Sequence, residues 1–219
     1  MLTARSKVEV GDREARYYDK FLSLLSLGRY SNVIRASVEK MDIQPGQSIL
    51  DLGSGTGKND CFMAEKLAAQ GTMVGLDISD EMLGQSRKRC NKYNNVFFKK
   101  QRIDRGLPYK EEFDKVFISF VLHGFEEEQK QQIIHGALQA LKPGGSFYIL
   151  DYSEFNLDKM WLPLRRAFIR WECQLAVEFL KLNLKDMLRK QGFVDFEEAF
   201  FFKGHLRFLK AVKGSIIIT

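Results

Sequence analysis

A chain of 219 residues allows one large domain, or one domain with an appended lid, at roughly 150 residues per domain. Hydrophobic residues make up 45% and charged residues 28%, near the globular average, which excludes disordered, collagen-like and coiled-coil classes. The 34 basic residues outnumber the 28 acidic ones by +6, which favours anionic partners without selecting one; the longest run free of Asp, Glu, Lys and Arg, residues 131–141, is far short of the roughly 20 apolar residues of a membrane-spanning helix.

Residues 1–11 alternate charged and apolar side chains without an apolar core and cleavage site, so a cytoplasmic protein with no secretory signal is expected. Residues 14–41 have a helical pattern and precede the first strand at Pro45-Gly46, which makes residues 1–44 a candidate helical lid belonging to the same domain. Apolar runs then alternate with amphipathic stretches, the pattern of a parallel sheet covered by helices. Strands are predicted over 48–52, 72–77, 95–100, 113–119 and 145–151, and helices over 58–70, 80–93 and 126–141; Lys142-Pro143-Gly144-Gly145 stops the last helix. Segment 156–182 spaces Trp161, Leu164, Phe168, Trp171 and Leu175 by three and four residues. Core packing is the favoured reading of that stripe. The alternative is a substrate wall whose flanking Arg165, Arg166 and Arg170 meet an anionic substrate or a membrane surface. A helix over 184–191 and a hairpin of strands 193–202 and 206–213, turning at Lys203-Gly204-His205, complete a domain over 45–213. The tail 214–219, with Ile216-Ile217-Ile218, extends the last strand or mediates self-association.

Cys61, Cys90 and Cys173 are odd in number and widely spaced, with no Cys-x-x-Cys pair, and are expected to be reduced structural thiols without a metal. Eighteen phenylalanines point to a large aromatic core or an apolar substrate pocket. The densest information lies in Asp51-Leu52-Gly53-Ser54-Gly55-Thr56-Gly57, an apolar strand running into alternating glycines at a helix start. Glycine permits positive φ and close approach of a ligand, and a helix N-terminus offers free N–H groups. Lys58 stands where the dinucleotide fingerprint Gly-x-Gly-x-x-Gly needs its third glycine, which argues against a nicotinamide enzyme.

The Asp-x-Gly-x-Gly-x-Gly spacing resembles the first motif of the class I methyltransferases that use S-adenosylmethionine and release S-adenosylhomocysteine. Asp77 at the end of the second predicted strand, Leu107-Pro108 after the third, Phe113-Asp114-Lys115-Val116 and Leu141-Lys142-Pro143-Gly144-Gly145 follow in the family's order. The resemblance implies an α/β Rossmann-like fold with a seven-stranded, mostly parallel sheet, a C-terminal β-hairpin and an N-terminal helical lid. It implies cofactor contacts from Asp51, Gly53, Ser54, Gly55, Gly57, Asp77, Ile78, Met82 and Ser119, with Asp77 on the ribose hydroxyls and Ile78 on the adenine. The adenine-side acid is displaced by one residue, leaving that contact open between Ile103 and Asp104. Tyr18 would close over the methionine end or pack in the core. Within the superfamily, Tyr18-Asp19, Leu25-Ser26-Leu27-Gly28 and Asp151-Tyr152-Ser153 resemble the ubiquinone and menaquinone biosynthesis C-methyltransferases, while Leu22, Tyr30, Val33 and Gln139-Ala140 depart from them.

Methyl transfer from a sulfonium needs alignment and exclusion of water. A base helps if the acceptor is a phenol or ring carbon, and His123 beyond the fourth strand is the candidate, with simple packing as the alternative. Asp151 is the second catalytic candidate, as an orienting carboxylate or a structural one. The fourth strand ends without the Asn/Asp-Pro-Pro-aromatic motif of amine methylation, and no Pro-Cys pair offers a cytosine nucleophile, so a small, apolar or aromatic acceptor is expected rather than nucleic acid. An RNA methyltransferase, suggested by the basic charge, and a non-catalytic cofactor-binding module are the competing readings. No residue pattern gives the oligomeric state.

Overall fold

The computed structural model describes residues 30–214, without the side chains of residues 30, 164, 167 and 171. Of the expected lid, residues 1–29 with Tyr18 lie outside the described residues, as does the isoleucine tail.

Seven strands form one sheet: β1 (Ser48–Leu52), β2 (Thr72–Asp77), β3 (Val96–Lys100), β4 (Phe113–Ser119), β5 (Leu141–Tyr152), β6 (Phe193–Phe201) and β7 (Leu206–Lys213), in the order β3-β2-β1-β4-β5-β7-β6. The first five pair in parallel, whereas β7 runs antiparallel to both β5 and β6. Central β1 and β4 are apolar and buried almost throughout because helices cover both faces. From β1 the chain steps outward through β2 to β3 and then crosses back to β4. That reversal opens a crevice at the carboxyl ends of β1 and β4, where ligands of such sheets bind.

The helices are α1 (Tyr30–Lys40), α2 (Lys58–Leu67), α3 (Asp80–Arg89), α4 (Glu127–Ala140), α5 (Leu162–Trp171), α6 (Gln174–Phe179) and α7 (Leu184–Gln191). Helix α2 ends three residues before its expected limit, where Ala68 turns to φ 53°, and α3 ends at Cys90. Ser79 caps α3 by accepting from Met82 N, and its first-turn acids and last-turn bases oppose the helix dipole. Strand β5 begins earlier than expected because Leu141 already pairs with Phe113; a register shift then carries the Lys-Pro-Gly-Gly turn to Ser146 opposite Lys115.

Helix α1 lies against α2 with both chains running in the same direction. Lys58 Nζ donates to Ser31 Oγ (2.8 Å), the Arg35 guanidinium lies 4.2 Å from the Phe62 ring centroid, and Lys66 pairs with Glu39 (2.7 Å). Both sides of this ladder advance by four residues, one helical face against another. Beneath it, Val33, Ile34, Val38 and Met41 bury against Met63, Phe117 and Tyr148 on one face of the sheet. The larger core, on the other face, is built from Ile133, Ile134, Ala137, Met187 and Leu188 on Val116, Ile118, Phe147 and Ile149.

Two expectations are corrected. Cys61 and Cys90 are joined as a disulfide, with Cα atoms 5.6 Å apart, and only Cys173 is free and buried. Their separation of 29 residues is silent about the packing of α2 on α3 that brings them together. In the aromatic stripe, Leu175 is buried and Phe168 half-buried as core packing requires, but Trp161 is exposed, because α5 only begins after it.

Candidate functional site

The glycine loop is held at the carboxyl end of β1 by Gly53 N and Ser54 N, which both donate to Leu76 O at 2.8 Å. Gly53, Gly55 and Gly57 all have positive φ. At Gly57 a Cβ would come within 2.7 Å of Ser86 Cβ, so glycine is needed there for α2 to meet α3. At Gly55 a Cβ would meet nothing within 4 Å, so this glycine faces open space, where a ligand can approach the backbone. Asp77 ties the loop to the turn after β2: its Oδ2 accepts from Gly55 N (2.8 Å) and its Oδ1 from Ser79 N (2.9 Å). A carboxylate accepts about four hydrogen bonds, so each oxygen keeps one lone pair for a ribose hydroxyl. Ile78 is half-buried beside it and Met82 is buried.

Below the loop lies a set of polar groups that the sequence did not single out. Asp51 and Asp60 are both fully buried without a side-chain donor from elsewhere in the fold, and a proton held between the two carboxyls satisfies the pair. Burial, followed by the neighbouring Asp60 carboxyl, pushes Asp51 well above the carboxylate range, and burial pushes Asp60 to about 7. Asn59 donates to Ser119 Oγ (2.8 Å), while Asn59 Oδ1 and Ser54 Oγ are buried without partners. These orphaned atoms, the open Gly55 and the spare lone pairs of Asp77 fit a polar, cationic cofactor such as S-adenosylmethionine. Asn59 and Asp60 carried a legible signal: both share the helical face of Met63, Ala64 and Leu67, where periodicity calls for apolar residues.

After β3 the two open candidates separate. Ile103 packs into the large core, and the Asp104 carboxylate is held by Arg102 Nε and a second guanidinium nitrogen (3.0 Å each) and by Gln129 Nε2 (2.8 Å). Burial alone would raise the pKa of Asp104, but these donors hold it below the usual range.

At the end of β4, Phe120 adopts φ 53°, a costly conformation for a bulky residue and one found at functional sites. It leads into a 3-10 turn, Leu122–Gly124, that carries His123. His123 Nδ1 lies 2.7 Å from Asp151 Oδ1, and His123 N donates to Asp151 Oδ2 (3.2 Å). Glu172, between α5 and α6, places Oε2 3.7 Å from Nε2, and its Oε1 accepts from Tyr152 OH (2.5 Å). The imidazole is thus flanked by two carboxylates, with Tyr152 5.0 Å and Phe179 6.4 Å from its ring. Burial opposes its charge and so does Lys130, whose ammonium donates to Phe125 O; Asp151 and Glu172 outweigh both and raise the His123 pKa above its ordinary value. The two catalytic candidates of the sequence are therefore brought together. Tyr152 and Glu172 were missed: Glu172 reaches His123 only through the fold of segment 156–182.

Among the described residues no group of His, Cys, Asp and Glu could hold a metal ion. Residues 43–192 match the family model described as a methyltransferase domain. An uncharacterized methyltransferase of Synechocystis sp. is 31% identical over 191 residues, covering 87% of each chain. A demethylmenaquinone methyltransferase of Tropheryma whipplei is 29% identical over 160 residues; the match covers 73% of this chain and 64% of that relative, just under two thirds of its length. In fold, a SAM dependent methyltransferase from Aquifex aeolicus aligns with a TM-score of 0.68 at 17% identity, over 94% of this chain and all of that one.

Proposed function

The chain belongs to the class I S-adenosylmethionine-dependent methyltransferases, and from that premise we propose that its acceptor is a small, lipophilic aromatic alcohol of the quinol type, deprotonated by His123. The observation that carries this reading is the imidazole held between Asp151 and Glu172 at the carboxyl ends of β4 and β5, among the rings of Tyr152 and Phe179. A polymeric, polyanionic acceptor would find two carboxylates there, whereas a neutral phenol finds a proton acceptor in apolar surroundings. The likeness to a demethylmenaquinone methyltransferase supports the same reading.

The cofactor supplies an electrophilic methyl group on its sulfonium sulfur. In our reading Asp77 holds the ribose hydroxyls, Ile78 and Met82 cover the adenine, and Gly53, Ser54, Gly55 and Gly57 let the backbone approach the ligand. Asp51, paired with Asp60, supports the loop from beneath, and Ser119, fixed by Asn59, lines the methionine side. Ile103 and Asp104 shape the adenine wall, Asp104 acting through the turn that Arg102 and Gln129 hold.

For the proton, Asp151 accepts from Nδ1–H, which leaves the lone pair of neutral His123 on Nε2. Nε2 takes the phenolic proton, the aryl oxygen pushes electron density toward the attacking atom, and the imidazolium that forms is stabilised by Glu172. The buried aromatic surroundings exclude water from the acceptor. The test is release of S-adenosylhomocysteine with reduced short-chain benzoquinols and naphthoquinols, their oxidised quinones, and RNA. Turnover with the quinols alone is expected; turnover on RNA, or none on any quinol while other small acceptors react, overturns the assignment.

A further inference from the structure

The corner where the carboxyl ends of β5 and β6 meet the amino end of β7 bears apolar side chains that the fold leaves in solvent. Trp161 is 75% exposed and Leu162 62%, at the start of α5; Phe202 is 37% exposed in the turn between β6 and β7. These two pieces adjoin. Phe168 of α5 meets Phe155 edge-on (6.2 Å between centroids), Phe155 meets His205 (4.7 Å), and Ser153 N donates to His205 O (3.0 Å). Trp161 stands seven residues before Phe168, roughly 10 Å along the helix.

The same corner is cationic. Lys159, Arg166, Arg170 and Lys203 are exposed and enter no ion pair among the described residues. The neighbouring acids are compensated from within the fold: Asp158 by Arg165 (2.7 Å), Glu154 by the buried Arg207 (3.0 Å), and Glu197 and Glu198 by Lys210 and Lys185 (2.7 Å each). An exposed Trp beside an aliphatic Leu, flanked by free cations, is the chemistry of a bilayer interface: the indole suits the headgroup level and the cations suit anionic lipid. Single-stranded RNA would use the cations and aromatic planes but has no use for an exposed leucine.

We propose that this corner docks onto an anionic membrane surface, seating Trp161, Leu162 and Phe202 among the headgroups. The acceptor site then lies toward the bilayer, joined to the surface by the packed rings Phe155, Phe168 and Tyr152, which lead to His123. A lipophilic acceptor would enter without crossing water. This purpose rests on the acceptor reading above, but docking itself does not, and it is tested without any acceptor.

The experiment is co-sedimentation of the full chain with large vesicles of phosphatidylcholine, with and without 30% phosphatidylglycerol (about one anionic lipid in three, enough for a strong surface potential). The wild type is expected on the anionic vesicles at low salt, and much less on neutral ones. Each cation near such a surface contributes roughly fivefold in affinity, so Arg166→Glu/Arg170→Glu should weaken binding at least tenfold. Trp161→Ala/Leu162→Ala should also weaken it, chiefly the part that survives high salt. Cofactor titration of both double variants reports that they fold. Absence of wild-type binding, equal binding by the folded variants, or binding of RNA in place of vesicles overturns the proposal; failure of every quinol in the turnover assay would leave it standing.

Discussion

At the scale of single residues, the site turns on one imidazole whose protonation is set by its neighbours. Burial alone would keep His123 neutral, but Asp151 at 2.7 Å and Glu172 at 3.7 Å hold it charged to a higher pH than a free histidine. The proposed chemistry needs the neutral form, so kcat/KM should rise with pH through a value above 6.5. Asp151→Asn removes the first of the opposing charges and should move that rise to lower pH, while lowering kcat because the tautomer is no longer held. His123→Ala should cost about 10²–10⁴ in kcat with cofactor affinity kept. Methyl-transfer rates between pH 5 and 9, together with calorimetric cofactor titration, check both; an unchanged profile in Asp151→Asn would remove this pair from the mechanism.

At the scale of elements, α2 is the hub. Its first residues follow the glycine loop, one face carries the ladder to α1 through Lys58, Phe62 and Lys66, and Cys61 bridges to α3. Lys58, which breaks the dinucleotide fingerprint, is thereby the residue that anchors α1 at Ser31. The bridge closes residues 61–90, which contain β2 and Asp77, so it restrains that segment in the unfolded chain. Closing a loop of this length stabilises by about 2–4 kcal/mol in the chain-entropy account. Urea denaturation of the oxidised protein should therefore show a loss of that size on adding reductant, with the Cys61→Ser/Cys90→Ser variant matching the reduced form and indifferent to reductant. Equal stability with and without reductant would mean that the thiols are not bridged.

The whole molecule answers to pH through the buried acids. Asp60 titrates near 7 in the fold against 3.8 unfolded, so the fold binds its proton more tightly. A group with a raised folded pKa contributes stability that is present below the unfolded value and is lost as pH rises through the folded one. His123, also raised, acts in the same direction above about pH 6.5. Asp60→Asn should consequently be more stable than the wild type by roughly 2–4 kcal/mol above pH 7, with the advantage shrinking to little near pH 4. Urea midpoints of the cofactor-free proteins across that range measure it; a constant difference would show that the carboxyl is not the titrating group.

Composition, periodicity and motif spacing determined the sheet, its helices and the order of the glycine loop, Asp77 and the Lys-Pro-Gly-Gly turn. Four of the seven strands, β1, β2, β4 and β7, were bounded to the residue, because alternating apolar runs and glycine turns are local signals. The glycine turn of Gly53 and Gly55 was legible for the same reason, whereas Asp77 was singled out by the resemblance to the methyltransferase family. Only the tertiary structure decided which groups meet across elements: Asp51 with Asp60, Cys61 with Cys90, Asp104 with Gln129, and His123 with Asp151 and Glu172. It also decided that Trp161, Leu162 and Phe202 stay in water while Met160 and Phe208 bury. A sequence records the chemistry of each side chain and the period of its element, but burial, charge pairing and proton affinity depend on distances between elements, and those exist only once the chain has packed.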